Sequence, residues 1–178
     1  MDGQETRTNQ GQAWADWADA FAGRLATRAA DAEAHRTLPP ETIKEALDAG
    51  FFAMLAPTGV GGQGSSYSAF LDVVRRLSQG CASSGWTLSF LALHAWMLCK
   101  FGPEAQAEFF RDGKMPLAPA PLAPTGKAVP VDGGFVVSGR WEWATGINHA
   151  DWVLVNGLNS ETMVPVFCAM PIGSVEIE

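Results

Sequence analysis

A proline-rich stretch divides the chain into two halves with different hydrophobic patterns. Residues 115–130 read MPLAPAPLAPTGKAVP and carry five prolines, a residue that continues neither a helix nor a central strand. Apolar residues recur at helical spacing before this stretch, whereas short apolar runs separated by turn residues follow it. Because the helices come first and the strands afterwards, the order indicates an α+β fold and not a βαβ repeat.

The predicted organisation has four segments. Residues 1–10 are polar and expected to be disordered, and residues 11–112 form an N-terminal helical domain. Residues 113–127 form an extended linker, and residues 128–178 begin a β domain. The last residues, GSVEIE, read as a strand just begun, so we expect the chain to be a fragment of a longer protein.

Five helices are predicted in the first half from apolar periodicity and from the residues at their ends. The first is expected to end near His35, the second at Gly50 and the fifth near Phe110. The fourth is apolar almost all round, which predicts a core helix. Serines are predicted to cap two of them, Ser65 or Ser66 for the third and Ser83 or Ser84 for the fourth.

Four strands are predicted in the second half, over residues 129–131, 135–144, 151–156 and 164–170. In the second strand, Trp141 and Trp143 point to one face, and Thr145 follows with the same parity. An indole beside a hydroxyl and a backbone N–H can shield the face of a heteroaromatic ring and hydrogen-bond its edge. Ordinary packing aromatics of a barrel strand explain the same periodicity equally well.

Composition excludes several classes of function. The net charge is −7 and no basic stripe is visible, so we expect no nucleic-acid partner. The longest apolar stretch, residues 86–99, is too short to span a bilayer, so we expect no membrane span. Three widely spaced cysteines argue against a disulfide framework and indicate a reducing, cytoplasmic location. Since no Cys/His cluster exists in the sequence, no metal site is predicted.

A glycine-rich segment, GVGGQG at residues 59–64, matches the dinucleotide-binding pattern G-x-G-x-x-G. That motif requires a βαβ unit around it and an acidic residue about twenty positions further on. Ser83 and Ser84 stand in the place of the acid, and no parallel strand is predicted after the following helix. A tight turn with positive φ is therefore favoured.

Two histidines need a chemical interpretation. His94 lies on the apolar fourth helix, where spacing alone favours a core histidine over one at the wall of a substrate pocket. His149 and Asp151 flank a predicted turn, and turn chemistry is the favoured explanation for both. The sequence contains no G-x-S-x-G motif and no convincing Ser-His-acid set, so it does not indicate a hydrolase.

Three longer segments, in this order, resemble the acyl-CoA dehydrogenase superfamily. They are LPPETIKEALDAGFFAMLAPTGVGGQG at 38–64, FGPEAQAEFF at 101–110 and SGRWEWATGINHADWVLV at 138–155. The resemblance covers about residues 20–160 and implies an N-terminal helical domain joined to part of a middle β-barrel domain. The C-terminal helical bundle of the family, which completes its flavin pocket and its tetramer, is expected to be absent.

Within the superfamily, the chain looks closest to the flavin-dependent hydroxylases. Dehydrogenases usually carry Thr-Glu-Pro and Gly-Ser-Asp after the fifth helix, whereas residues 118–134 here read APAPLAPTGKAVPVDGG. Together with LHAW at 93–96, this resemblance implies the oxygenase component of a two-component monooxygenase. Such a component hydroxylates an aromatic or phenolic substrate with reduced flavin, FMNH2 or FADH2, supplied by a partner flavin reductase.

The resemblance also implies roles for individual residues. Trp143, Ala144, Thr145 and Gly146 match the flavin-facing segment, with Thr145 near flavin N5, and His94 matches a histidine that orients or deprotonates the phenol. A homotetramer is implied for full-length members. Two alternatives stay open: an acyl-CoA dehydrogenase that desaturates its substrate with FAD, and a truncated, non-catalytic remnant of either enzyme.

Overall fold

The computed structural model describes the backbone of residues 2–178 and the side chains of residues 10–178. Helices occupy the first half: α1 (Asp2–His35), α2 (Pro40–Asp48), α3 (Tyr67–Gly80), α4 (Ala82–Leu98) and α5 (Pro103–Phe109). Of the predicted disordered segment 1–10, residue 1 lies outside the described residues and the backbone of the others belongs to α1. With the sheet described below, these helices confirm the α+β class.

Aromatic side chains fill the core of the helical half. The fully buried phenylalanines include Phe21 of α1, Phe51 of the segment between α2 and α3, and Phe70 of α3. The rings of Phe51 and Phe70 stack with centroids 5.7 Å apart. Full burial of one such side chain contributes about 1.5–3 kcal/mol. Helix α4 buries nine of its residues, from Ser84 to Leu98, so the prediction that the fourth helix is a core helix is confirmed.

One of the two predicted serine caps is present. Ser66 precedes α3, and its side-chain oxygen accepts a hydrogen bond from the backbone N–H of Ala69 at 3.2 Å. The predicted cap of α4 is wrong, because the helix begins at Ala82 and places Ser83 and Ser84 inside its first turn. Cys81 is the residue at the cap position, and its side chain makes no capping hydrogen bond.

The second half forms a four-stranded sheet that makes half of a barrel. Its strands are β1 (Gly126–Val131), β2 (Gly134–Ser138), β3 (Trp152–Asn159) and β4 (Pro165–Pro171), in the order β2-β1-β3-β4. The outer pairs are antiparallel, whereas β1 and β3 are parallel. Because β3 pairs with β1 and not with β2, residues 139–151 must cross over, and we call them the crossover loop.

The prediction that the second strand continues to residue 144 is wrong, because β2 ends at Ser138. The Trp141 indole lies against Gly126 and Gly139, where an added Cβ would come within 2.2 Å and 3.0 Å of it. The indole N–H donates to the carbonyl oxygen of Asn156 at 2.8 Å. Since residues 139–144 are not in a strand and Trp143 has a positive φ, Trp141 and Trp143 do not share a strand face.

The proline-rich segment between α5 and β1 has neither helix nor strand, yet much of it is buried. Its small residues lie in a second apolar cluster, enclosed by Leu98 of α4, Phe109 of α5 and Leu154 of β3. The backbone N–H of Leu154 also donates to the carbonyl oxygen of Pro119 at 2.9 Å. The segment is therefore the packed layer between the helical half and the sheet.

The glycine-rich segment is a turn, as the sequence predicts. Gly61 has a φ of +82°, and an added Cβ on Gly62 would meet the carbonyl oxygen of Ala56 at 2.1 Å. The Gln63 side chain donates to the Gly50 carbonyl oxygen and accepts from the Trp14 indole N–H.

Within the described residues, no helix has both the length and the apolar character that crossing a membrane requires.

Candidate functional site

The crossover loop presents the four residues that the sequence assigns to a cofactor. Trp143 has a φ of +65°, and 89% of its side chain is exposed. The backbone N–H of Thr145 donates to the carbonyl oxygen of Trp143 at 3.0 Å, which closes a tight turn over Ala144. Positive φ is uncommon for a residue with a side chain and marks a segment held by its surroundings.

Two open cavities meet at this loop. One, of about 750 Å³, lies over the sheet and is lined by Pro121, Trp141 and Val153 among others. The second, of about 730 Å³, lies between the end of α1, the beginning of α4 and the crossover loop. Trp143, Ala144 and Ile147 line both cavities, so they form the wall between them.

Thr145 lines the second cavity, together with Trp86 and Thr87 of α4. The Trp86 side chain is 58% exposed and stacks on Phe90, with ring centroids 4.5 Å apart. The Thr145 hydroxyl makes no hydrogen bond to another described residue, so it is available to a ligand as donor or acceptor. The predicted threonine therefore faces a cleft shared with the helix that carries His94.

Gly146 fixes the distance between the crossover loop and α4. Its φ is +84°, and an added Cβ would lie 2.9 Å from Cδ2 of Leu91. Leu91 is fully buried, and His94 follows it by one turn of the same helix. The loop backbone thus lies directly against the helix, one turn before the candidate catalytic histidine.

His94 is 5% exposed and lies beneath the proline-rich segment. Its Nδ1 is 3.1 Å from the carbonyl oxygen of Ala118, and because a carbonyl only accepts, Nδ1 carries the proton. Burial lowers the pKa of His94 to about 4, and the Ala118 carbonyl opposes this shift more weakly. The ring is therefore neutral at pH 7, with the lone pair on Nε2, and it lines neither of the two cavities.

Two residues that the sequence assigns to turn chemistry instead join distant parts of the chain. The Nε2 atom of His149 lies 3.1 Å from the hydroxyl oxygen of Thr37, in the turn between α1 and α2. A carboxylate oxygen of Asp151 accepts from the backbone N–H of Leu117 at 2.8 Å. The predicted turn is present, since Ile147–His149 form one turn of 3-10 helix, but it does not account for the two side chains. Their partners lie 112 and 34 residues away, and no local sequence signal identifies them.

Comparison with known proteins gives consistent matches. The family model for the N-terminal domain of acyl-CoA dehydrogenases matches residues 8–111. The oxygenase subunit HsaA of a flavin-dependent monooxygenase from Mycobacterium tuberculosis is 39% identical over 130 residues, which is 73% of this chain and 33% of the relative. The oxygenase component of an FADH(2)-dependent resorcinol hydroxylase from Rhizobium sp. is 32% identical over 150 residues, 82% of this chain and 37% of the relative.

The fold comparison agrees with the sequence comparison. The crystal structure of the HsaA monooxygenase from M. tuberculosis superposes with a TM-score of 0.86 at 34% sequence identity. The superposition covers 92% of this chain and 44% of the crystallised chain. The chain therefore spans between 33% and 44% of the length of these similar proteins.

Proposed function

The chain belongs to the family of acyl-CoA dehydrogenase N-terminal domains, and from this premise we propose that the protein is the oxygenase component of a two-component flavin-dependent monooxygenase. Its substrate is an aromatic or phenolic compound, its cofactor is reduced flavin, and its partner is a flavin reductase. The relatives named above, an oxygenase subunit and a resorcinol hydroxylase, support this choice. The same proposal includes a homotetramer, which is the assembly that the family resemblance implies.

The chemistry of the second cavity fits a flavin. The Thr145 hydroxyl has no described partner and can accept a hydrogen bond from a ring N–H or donate one to a ring nitrogen. The exposed Trp143 indole offers an apolar face, and the small side chains of Ala144 and Gly146 let a flat ring approach the backbone. When bound, reduced flavin supplies the electrons that activate molecular oxygen for transfer to the phenol. The free hydroxyl of Thr145 beside an unstacked indole is the observation that carries the proposal.

In this proposal His94 orients the phenol and does not deprotonate it. The Ala118 carbonyl holds the proton on Nδ1, so Nε2 can accept a hydrogen bond from the substrate hydroxyl. Complete proton transfer from a phenol of pKa about 10 to an imidazole of pKa about 4 costs roughly 8 kcal/mol, which a single hydrogen bond does not offset. The lowered pKa argues against deprotonation, whereas the orienting role comes from the resemblance alone, since His94 is 5% exposed and lines neither of the two cavities.

Anaerobic titration with FADH2 and FMNH2 tests the cofactor assignment. We expect Thr145→Val, which removes only the hydroxyl, to weaken reduced-flavin binding about two- to tenfold, the value of one hydrogen bond. Thr145→Ser keeps the hydroxyl and is the matched control. Failure of the wild-type chain to bind flavin in any redox state would refute the proposal for this chain.

Oxygen consumption separates the proposed reaction from its alternative. With a flavin reductase and resorcinol as the probe, we expect oxygen uptake and a hydroxylated product. Dye reduction by an acyl-CoA without a reductase would instead identify an acyl-CoA dehydrogenase and overturn the proposal.

A further inference from the structure

Thr37 and His149 join the two halves of the molecule at the end of the candidate flavin cleft. The hydroxyl oxygen of Thr37 and Nε2 of His149 are 3.1 Å apart, and both side chains line the cavity that Thr145 lines. Both residues are half-buried, so water competes for this hydrogen bond less than it does at an open surface. Neither residue belongs to the set that the proposed function uses.

The position of Thr37 is set by the end of α1. Arg36 has a φ of +55°, and the backbone N–H of Thr37 donates to the carbonyl oxygen of Ala32 at 3.2 Å, which closes the last turn. Leu38, the next residue, is buried. The Thr37 hydroxyl is therefore presented by backbone that is fixed on both sides.

The position of His149 is coupled to Thr145 through a single short turn. Residues Ile147–His149 form one turn of 3-10 helix, and the backbone N–H of His149 donates to the carbonyl oxygen of Gly146 at 3.0 Å. Gly146 follows Thr145 directly. Four peptide bonds separate Thr145 from His149, and the hydrogen bonds from the N–H of Ile147 to the Ala144 carbonyl and from the N–H of His149 to the Gly146 carbonyl restrain the dihedral angles between them. A displacement of His149 is thus transmitted to Thr145.

We propose that Thr37 and His149 form a clasp, a hydrogen-bonded pair of positioning residues that holds Thr145 at the flavin cleft. The part of this inference that concerns flavin rests on the proposed function, whereas the part that concerns the crossover loop stands on the geometry alone. Two further anchors act with the clasp: Leu91 against Gly146, and Leu117 bound to Asp151. Because the contacts at Gly146 and Asp151 remain when the clasp is lost, the loop loosens without unfolding.

Amide hydrogen exchange of the full chain without flavin tests the clasp. Thr37→Val keeps the shape of the side chain and removes the hydroxyl, so exchange of the amides of residues 145–150 should accelerate about two- to tenfold, the value of one hydrogen bond. Thr37→Ser should restore the wild-type rate. The amides of residues 88–95 in α4 should not change in either variant. If the loop amides of Thr37→Val exchange at the wild-type rate, the inference is overturned.

Reduced-flavin affinity tests the positioning role. Thr37→Val should weaken FADH2 binding, and Thr37→Ser should restore it. Ser66→Ala, which loses the α3 cap at a comparable cost of about 1 kcal/mol, should leave both loop exchange and FADH2 affinity unchanged. A looser loop with unchanged FADH2 affinity would overturn the positioning role. If the wild-type chain binds no FADH2, the proposed function fails, and hydrogen exchange still decides the clasp.

Discussion

The close contact between the crossover loop and α4 makes Gly146→Ala a sharp test of the fold. Two separate costs apply at this residue. An alanine at a φ of +84° lies in the left-handed region, which costs about 1–2 kcal/mol. Its Cβ would also lie 2.9 Å from Cδ2 and 3.0 Å from Cγ of Leu91, well inside the usual carbon–carbon contact distance of about 3.5–4.0 Å.

The second cost is large because Leu91 has nowhere to move. It is fully buried in the core of the helical half, and overpacking a filled core costs about 1–3 kcal/mol. The two costs together predict that Gly146→Ala lowers the free energy of unfolding by about 2–5 kcal/mol. Equilibrium urea denaturation measures this change directly.

Gly133→Ala is the matched control for the backbone cost. Gly133 has a φ of +80°, and an added Cβ there would meet no heavy atom within 4 Å. We expect this variant to lose only about 1–2 kcal/mol. In a Leu91→Ala background, where the core has space, Gly146→Ala should cost less than in the wild type. Equal losses for Gly146→Ala and Gly133→Ala would refute the contact between the loop and α4.

Two further predictions concern His94 and the helix caps. The folded-state pKa of His94, about 4, lies below the value of 6.5 in the unfolded chain, so the unfolded chain binds the additional proton between these values. The free energy of unfolding of the wild type should therefore fall by up to about 3 kcal/mol as the pH decreases from 6.5 to 4. Thermal denaturation across this pH range measures the change, and His94→Asn should lack it. In urea denaturation, Ser66→Ala should lower the free energy of unfolding by about 1 kcal/mol, because it removes the cap of α3. Ser83→Ala should change it by less than about 0.5 kcal/mol, because Ser83 lies inside the first turn of α4. Equal losses in the two variants would show that both serines act as caps.

Most of the helical half follows from local signals in the sequence. The Ser66 cap, the end of α1 at His35 and the buried length of α4 all depend on residues within a few positions of one another. Such local signals could not show whether Ser83 or Ser84 precedes α4 as a cap or already belongs to its first turn. Cys81 stands where a cap is expected, and the serines that follow it are equally compatible with a first helical turn.

The crossover loop could not be predicted in the same way. Alternation places Trp141 and Trp143 on one strand face, and that prediction fails because Gly126 and Asn156 capture the Trp141 indole. These partners are 15 residues away on neighbouring strands, where periodicity carries no information about them. For His149, the partner Thr37 lies on the other half of the molecule. The sequence therefore identifies Thr145 by resemblance, but not what holds it.

The parallel pairing of β1 and β3 explains why the candidate site lies on this loop. Because β2 is antiparallel to β1 and β3 is parallel to it, β2 ends at the end of the sheet where β3 begins, and the crossover loop passes β1 there, next to the helical half. That approach is at Gly146, the one residue of the loop whose lack of a Cβ admits Leu91. The candidate site therefore lies where the crossover loop packs against α4, with Thr145 directly before the contact at Gly146.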